Sequence, residues 1–254
     1  YDRPWFDLEV LNTPRNSDGG LQRFYRLNET SGINADDVYG NQDGTYVGSP
    51  ALASRYNIWQ DPRIQRASGF SAPDPSNTVS SQSTSLSAIN LNGSSQYIDI
   101  PTINWVNKSF SIECLFSPDD SKTGQMFVVR ITSSGLLQVD YGGGSVLNTG
   151  SALTIGAYNL IVSYDLTSNL TTIYLNGAVS TSSNIGGITS GTTPSCRIGA
   201  STVGGTPSEY LDGRFDEFVM YDRAFSSNEI ASKFRSVSSI AIGVLKSIKV
   251  KAIG

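Results

Sequence analysis

The chain is written in short apolar or alternating runs, each cut off by Gly, Asn, Ser or Asp, and this punctuation leaves little room for helices. Runs that read as strands are Gln22–Leu27, Thr45–Val47, Ala88–Leu91, Tyr97–Ile100, Ser109–Ser117, Met126–Ile131, Leu136–Tyr141, Asn159–Tyr164, Thr171–Leu175, Ser195–Ile198 and Arg214–Tyr221. Such spacing, with polar turns between, predicts an all-β sandwich or barrel, because each strand buries one face and returns through a turn. One helix is expected. Ser226-Ser227-Asn228-Glu229 is a capping box, in which the Ser226 hydroxyl accepts from the Glu229 amide while the Glu229 side chain reaches back. Ile230 and Phe234, four apart, give that helix an apolar face.

Composition narrows the chemistry. At 254 residues the chain suffices for one large domain or two small ones. Hydrophobic residues are 38% and charged residues only 16%, so polarity rests on Ser, Thr, Asn and Gly, as in strand-rich extracellular or virion proteins. There is no histidine, which removes the commonest general base, the commonest zinc ligand and every Ser-His or Cys-His nucleophile. A net charge of −4 offers no general attraction to nucleic acid or to an anionic membrane. No apolar run is long enough to span a bilayer, so membrane insertion is not expected. Cys114 and Cys196 are too few for a disulfide scaffold, and strand parity turns both inward. They read either as small buried hydrophobes or as one bridge between strands.

Three regions stand apart. Residues 1–20 carry Trp5, Phe6, Leu8, Val10 and Leu11 ahead of a polar break and read as a docking arm. Residues 49–87 form a long Ser/Thr/Gln/Pro-rich insertion without clear period. In the tail, 236–254, the even positions Ile240, Ile242, Val244, Lys246, Ile248 and Val250 mark a period-two strand that needs a partner edge.

Several ordered motifs add up to a family. They are RLNETSG (Arg26–Gly32) with DVYGNQDGTYVG (Asp37–Gly48), AINLNGSSQYIDIP (Ala88–Pro101), SFSIECLFSP (Ser109–Pro118), YNLIVSYD with IYLNGAVS, and CRIGAS with LDGRFDEFVMYDRAFSSNEI, ending at Ile230. In these the chain resembles the laminin-G-like, concanavalin-A-like jelly-roll domains of bacterial secreted proteins and phage structural proteins. The resemblance spans roughly residues 21–235. It departs from the family where Leu115 and Asn159 stand in place of Trp and His. It implies a two-sheet antiparallel jelly-roll sandwich with one short C-terminal helix and flanking arms. It also implies a non-catalytic role in glycan binding, protein binding or assembly, often with calcium.

The loop Asp36–Gly44 concentrates the oxygens calcium prefers, without the acid spacing of an EF-hand. The resemblance matches Asp37, Asp43 and Asp216 to acidic family positions, with Asn41 beside them; the competing reading is that these residues are turn formers. Asp216 and Glu217 are consecutive in a strand, so a regular alternation sends them to opposite faces and denies them the geometry of a glycosidase pair. The same alternation puts Asp216 on the face of Phe218 and Met220, where it needs a partner such as Arg214 or Arg26. Tyr39, Tyr56, Trp59, Trp105 and Tyr210 lie in or near loops, where each is either a platform for a sugar's C–H face or a packing residue. Three functions follow as expectations. The leading one is a structural and recognition module on a virion surface, anchored in a larger assembly through both termini and displaying a lectin-like domain to glycans. The alternative is a secreted or cell-surface bacterial carbohydrate-binding domain dependent on calcium. A polysaccharide-degrading enzyme is the remote third.

Overall fold

A computed structural model of the chain describes residues 19–27, 29, 31–53, 88–118, 124–126, 128–141, 145–154, 158–188, 196–201 and 206–230. Residues 1–18 of the docking arm, the tail strand and most of the insertion, with Tyr56 and Trp59, lie outside them. The strands are β1 (Leu21–Tyr25), β2 (Asn34–Ala35), β3 (Gly44–Val47), β4 (Ala51–Ala53), β5 (Ala88–Asn92), β6 (Tyr97–Ile100), β7 (Phe110–Pro118) and β8 (Gly124–Met126). They continue as β9 (Val129–Ile131), β10 (Leu137–Asp140), β11 (Val146–Asn148), β12 (Tyr158–Asp165), β13 (Leu170–Leu175), β14 (Ala178–Ser183), β15 (Cys196–Ile198) and β16 (Asp212–Tyr221).

The first sheet runs β14-β13-β12-β7-β16-β5-β4, with β1 also paired to β16; the second runs β11-β10-β9-β8-β15-β6-β3-β2. Every pairing is antiparallel. The expected all-β jelly-roll sandwich is therefore present. Alternation sends one set of side chains between the sheets, where Phe110, Ile112, Cys114, Phe116, Leu160 and Val162 of the first sheet meet Ile98, Ile100, Val129, Ile131, Leu137, Val139 and Ile198 of the second. Cys114 is a free, buried thiol within this core, pushed well above its ordinary pKa by desolvation and then by Glu113. That matches the buried-hydrophobe reading for Cys114.

The run Met126–Ile131 is a hairpin, not the single strand expected: Met126 pairs with Val129 and Gly124 with Ile131. The reversal falls within the apolar stretch Met126–Val129, which carries no Gly, Pro, Asn or Asp to announce a turn.

A second cluster covers the outer side of the first sheet: Leu21, Phe24, Ile161, Tyr174, Val219, Tyr221, Phe225 and Ile230. It accounts for the closing motif. The chain leaves β16, crosses back over β7 and β12, and starts its helix at residue 227. Phe225 N donates to the hydroxyls of Ser111 (3.0 Å) and Ser163 (2.9 Å) on the sheet below. The capping box forms as expected, with Glu229 N donating to Ser226 Oγ (3.3 Å) and Ser226 N to the Glu229 carboxylate (2.9 Å).

β16 is not regular. Phe215 pairs with Phe116 and Phe218 with Cys114, so β16 carries one more residue than β7 across that stretch. This β-bulge lets Phe215 and Phe218 both reach the main core although their parity differs. The extra residue falls at Asp216 and Glu217. The alternation that assigned them to opposite faces, and Asp216 to the face of Phe218, therefore does not hold there. The Asp216 side chain lies outside the described residues.

Candidate functional site

Two groups of polar residues stand out, and they do different things. The first is the acidic loop between β2 and β3. Asp37 is buried, and its Oδ1 accepts from the amides of Phe24 (2.9 Å), Tyr39 (3.2 Å) and Gly40 (3.0 Å). Its Oδ2 accepts from Gln42 N (3.3 Å) and faces the Arg23 guanidinium at 3.5 Å. Asp43 accepts from Asp37 N (3.0 Å). Asn41 takes a left-handed backbone (φ 51°), the turn conformation that Asn tolerates better than most residues. Gly40 is required by closeness: a Cβ there would stand 2.5 Å from Asp37 Oδ2 and 2.6 Å from the Gln22 carbonyl. This donor set does not fit calcium. Four amides already bond the Asp37 oxygens, and a guanidinium lies 3.5 Å from Oδ2, where its charge opposes a second cation. Turn formation accounts for Asp37, Asn41 and Asp43.

The aromatic candidates separate. Trp105 is 3% exposed and packs on Phe110 with ring centroids 5.1 Å apart. It is a core residue and offers no platform, which corrects the expectation for it. Tyr39 is 41% exposed on the acidic loop. Tyr210 is half-buried and belongs to the second polar group.

That group lies on the outer face of the second sheet. In β6, β9 and β10 the residues on either side of Asp99, Arg130 and Gln138 enter the core, as does Ile198 next to Arg197 in β15, so these four point the other way. Register places them side by side: Asn148 opposite Gln138, Gln138 opposite Arg130, and Arg197 opposite Asp99. A chain of hydrogen bonds follows. Arg130 Nε donates to Gln138 Oε1 (2.6 Å), and Gln138 Nε2 donates to Asn148 Oδ1 (2.8 Å). Arg197 Nε lies 3.8 Å from Asp99 Oδ1, and Arg197 Nη1 donates to the Ser201 carbonyl (3.4 Å). The Arg197 guanidinium also sits over the Tyr97 ring, 5.4 Å from its centroid.

The segment after β15 folds over this face. Ser201 N bonds Ser208 O (2.6 Å) and Leu211 N bonds Gly199 O (2.9 Å). Glu209 takes a left-handed backbone (φ 47°), an uncommon state for a residue with a side chain. Its carboxylate turns to Arg130 Nη1 (3.2 Å), while the next residue, Tyr210, turns to Tyr97, ring centroids 6.3 Å apart. Tyr210 OH donates to Pro207 O (3.2 Å), which fixes the ring. The result is a floor of ordered hydrogen-bonding groups beside a pair of tyrosine rings.

The match to a family model falls on the strands that build this face. Residues 92–231, more than half of the chain, match the concanavalin A-like lectin/glucanases superfamily. The chain belongs to this superfamily. Solved structures carry the same fold at low identity. Domain 4 of AbnA, an extracellular arabinanase from Geobacillus stearothermophilus solved with arabinotriose, aligns with a TM-score of 0.56 at 16% identity over 84% of this chain and 98% of that one. The binding domain of Paraclostridial Mosquitocidal Protein 1 aligns at 0.56 and 16%, covering 85% of this chain and 52% of that one. Trypanosoma rangeli sialidase aligns at 0.55 and 15%, covering 85% and 32%. No curated protein matches the chain by sequence.

Within the superfamily this domain has the lectin-like sandwich fold. The chain has no histidine, and the described residues hold no cluster of three or more His, Cys, Asp or Glu side chains. Sequence reasoning found Tyr210 but missed Tyr97, Asp99, Arg130, Gln138, Arg197 and Glu209. A signal existed in Ile98-Asp99-Ile100, Val129-Arg130-Ile131, Leu137-Gln138-Val139 and Cys196-Arg197-Ile198, each a polar residue between two apolar ones.

Proposed function

We propose that this domain binds carbohydrate on the outer face of its second sheet, as a non-catalytic module acting outside the cell. The observation that carries the reading is the pairing of Tyr97 and Tyr210 beside the ordered row Asp99, Arg197, Arg130, Gln138 and Asn148. Sugars present flat C–H faces ringed by hydroxyls. Recognition therefore wants an aromatic surface next to donors and acceptors already held in place, so that little ordering is left to do on binding. Superfamily membership and the fold shared with an arabinanase domain solved with arabinotriose support the same reading. The virion placement rested on the strand expected at Ile240–Val250, outside the described residues, and no structural observation favours it over an extracellular glycan-binding module. Nothing in the reading requires calcium.

The test is binding to an array of immobilised oligosaccharides, followed by titration of each hit. Tyr97→Ala and Tyr210→Ala should each weaken binding about tenfold or more, on the order of 1.4 kcal/mol, with the melting temperature little changed. Binding that survives both substitutions would place the glycan elsewhere.

A further inference from the structure

We infer that this face selects neutral sugars over anionic ones, and that Asp99 sets the preference. The inference rests on the glycan-binding reading above and names the ligand class of the same site.

The argument is where the charge is left accessible. Two guanidinium groups lie on the face, and both are committed. The Arg197 side chain is only 9% exposed; it is covered by the Tyr97 ring, directed at Asp99 and bonded to the Ser201 carbonyl. Arg130 spends Nε on Gln138 and Nη1 on Glu209. Each is already paired with a carboxylate of the same face, Arg197 with Asp99 and Arg130 with Glu209. Carboxylates outnumber guanidiniums on this face, three to two, and Asp99 is more exposed than either guanidinium, the Arg130 side chain being 38% exposed. The Asp99 side chain is 47% exposed and faces the Arg197 guanidinium at 3.8 Å. Glu209 is 35% exposed. Asp140, two residues beyond Gln138 on β10 and hence on the same face, is exposed.

An ionised carboxylate only accepts hydrogen bonds. Sugar hydroxyls donate, and a charge-assisted O–H···O⁻ bond is roughly twice as strong as a neutral one. Asp99 is thus an acceptor set beside the Tyr97 and Tyr210 rings, suited to adjacent hydroxyls of a sugar whose C–H face rests on the rings. A uronate or sialate would bring a second anion against Asp99 in a partly desolvated site. That interaction is repulsive, and the two cations of this face are each already paired with one of its own carboxylates.

The experiment is titration calorimetry on the full chain with matched pairs of ligands. The pairs are galactotriose and trigalacturonate, which differ in charge at C6, and lactose and 3′-sialyllactose. In each pair that binds, the neutral sugar should bind at least tenfold tighter, with little dependence on salt. Asp99→Asn should weaken the neutral sugar about tenfold and narrow the gap within the pair, while circular dichroism stays unchanged. The comparison on the unsubstituted protein needs no variant to fold. Equal or tighter binding of the anionic member, or anionic binding that strengthens at low salt, overturns the inference. Binding abolished by Tyr97→Ala but untouched by Asp99→Asn overturns the role of Asp99 and leaves the glycan reading standing. No binding in any pair, with none on the array, removes both.

Discussion

Asp37 shows how much one short side chain can organise. Four backbone amides and a guanidinium converge on its two oxygens, and it is almost fully removed from water. A loop of this kind cannot make regular ladder bonds, so its amides need another acceptor or stay unsatisfied in the interior. From sequence the same oxygens read either as calcium ligands or as turn formers; in the folded loop four amides and Arg23 reach the Asp37 oxygens. Asp37→Ala would strand those donors and leave Arg23 facing no anion, which costs about 3–5 kcal/mol, the scale of breaking a buried pair from one side. At about 2–4 °C per kcal/mol for a domain of this size, the melting temperature should fall by roughly 10 °C. EDTA should leave the unsubstituted protein's melt unchanged. A melt that drops in EDTA and recovers with added calcium would show that the loop holds an ion after all.

Elements were legible in the sequence in proportion to how much apolar surface they bury. β6, β7 and β10 bury one face in the main core and showed by alternation, while β12 and β16, buried on both faces, showed as dense apolar runs; all five were placed to within a residue or two. β14, Ala-Val-Ser-Thr-Ser-Ser, is an edge strand with nearly every residue exposed; it had no hydrophobic pattern to display and was missed. The bulge in β16 was hidden for the opposite reason. Its apolar residues are so dense that either parity fits the core, and only the register against β7 shows the extra residue. The capping box was fully legible because its signal is local. It also gives this element a pH dependence. Burial raises the Glu229 carboxyl, but bonds from the Ser226 amide, from Arg223 and from the Ser226 hydroxyl bring it below its ordinary value. A carboxyl depressed in the folded state stabilises at pH values above its unfolded pKa of about 4.3, and loses that contribution as pH falls through the lower folded value. Glu229→Gln should therefore lower the melting temperature at pH 7 and flatten its decline below about pH 4.5. Identical acid profiles for the two proteins would mean that the box adds nothing to stability.

At the scale of the whole molecule, the site could not be read from the chain because it exists only after folding. Its outward polar residues were each visible between two apolar neighbours, yet they come from β6, β9, β10, β15 and the segment ending at Tyr210. Nothing local tells that Arg197 stands opposite Asp99, or that the backbone at Glu209 sends consecutive side chains to Arg130 and to Tyr97. Sequence patterns fix which face a residue takes; pairing between distant strands fixes what it meets. The same dispersion has a thermodynamic consequence. A ligand spanning strands so far apart in sequence binds only the folded sandwich, so its binding free energy adds to the stability of the domain. At a hundred times its dissociation constant, a glycan that occupies the face should add about 2.7 kcal/mol. For a domain of this size that raises the melting temperature by about 5–10 °C. The shift should grow with the logarithm of ligand concentration and vanish in Tyr97→Ala, whose own melt stays close to that of the parent. A glycan that binds tightly by calorimetry yet leaves the melt in place would have to sit on a part of the chain that does not fold with the sandwich, and the outer face of the second sheet would lose its claim to be the site.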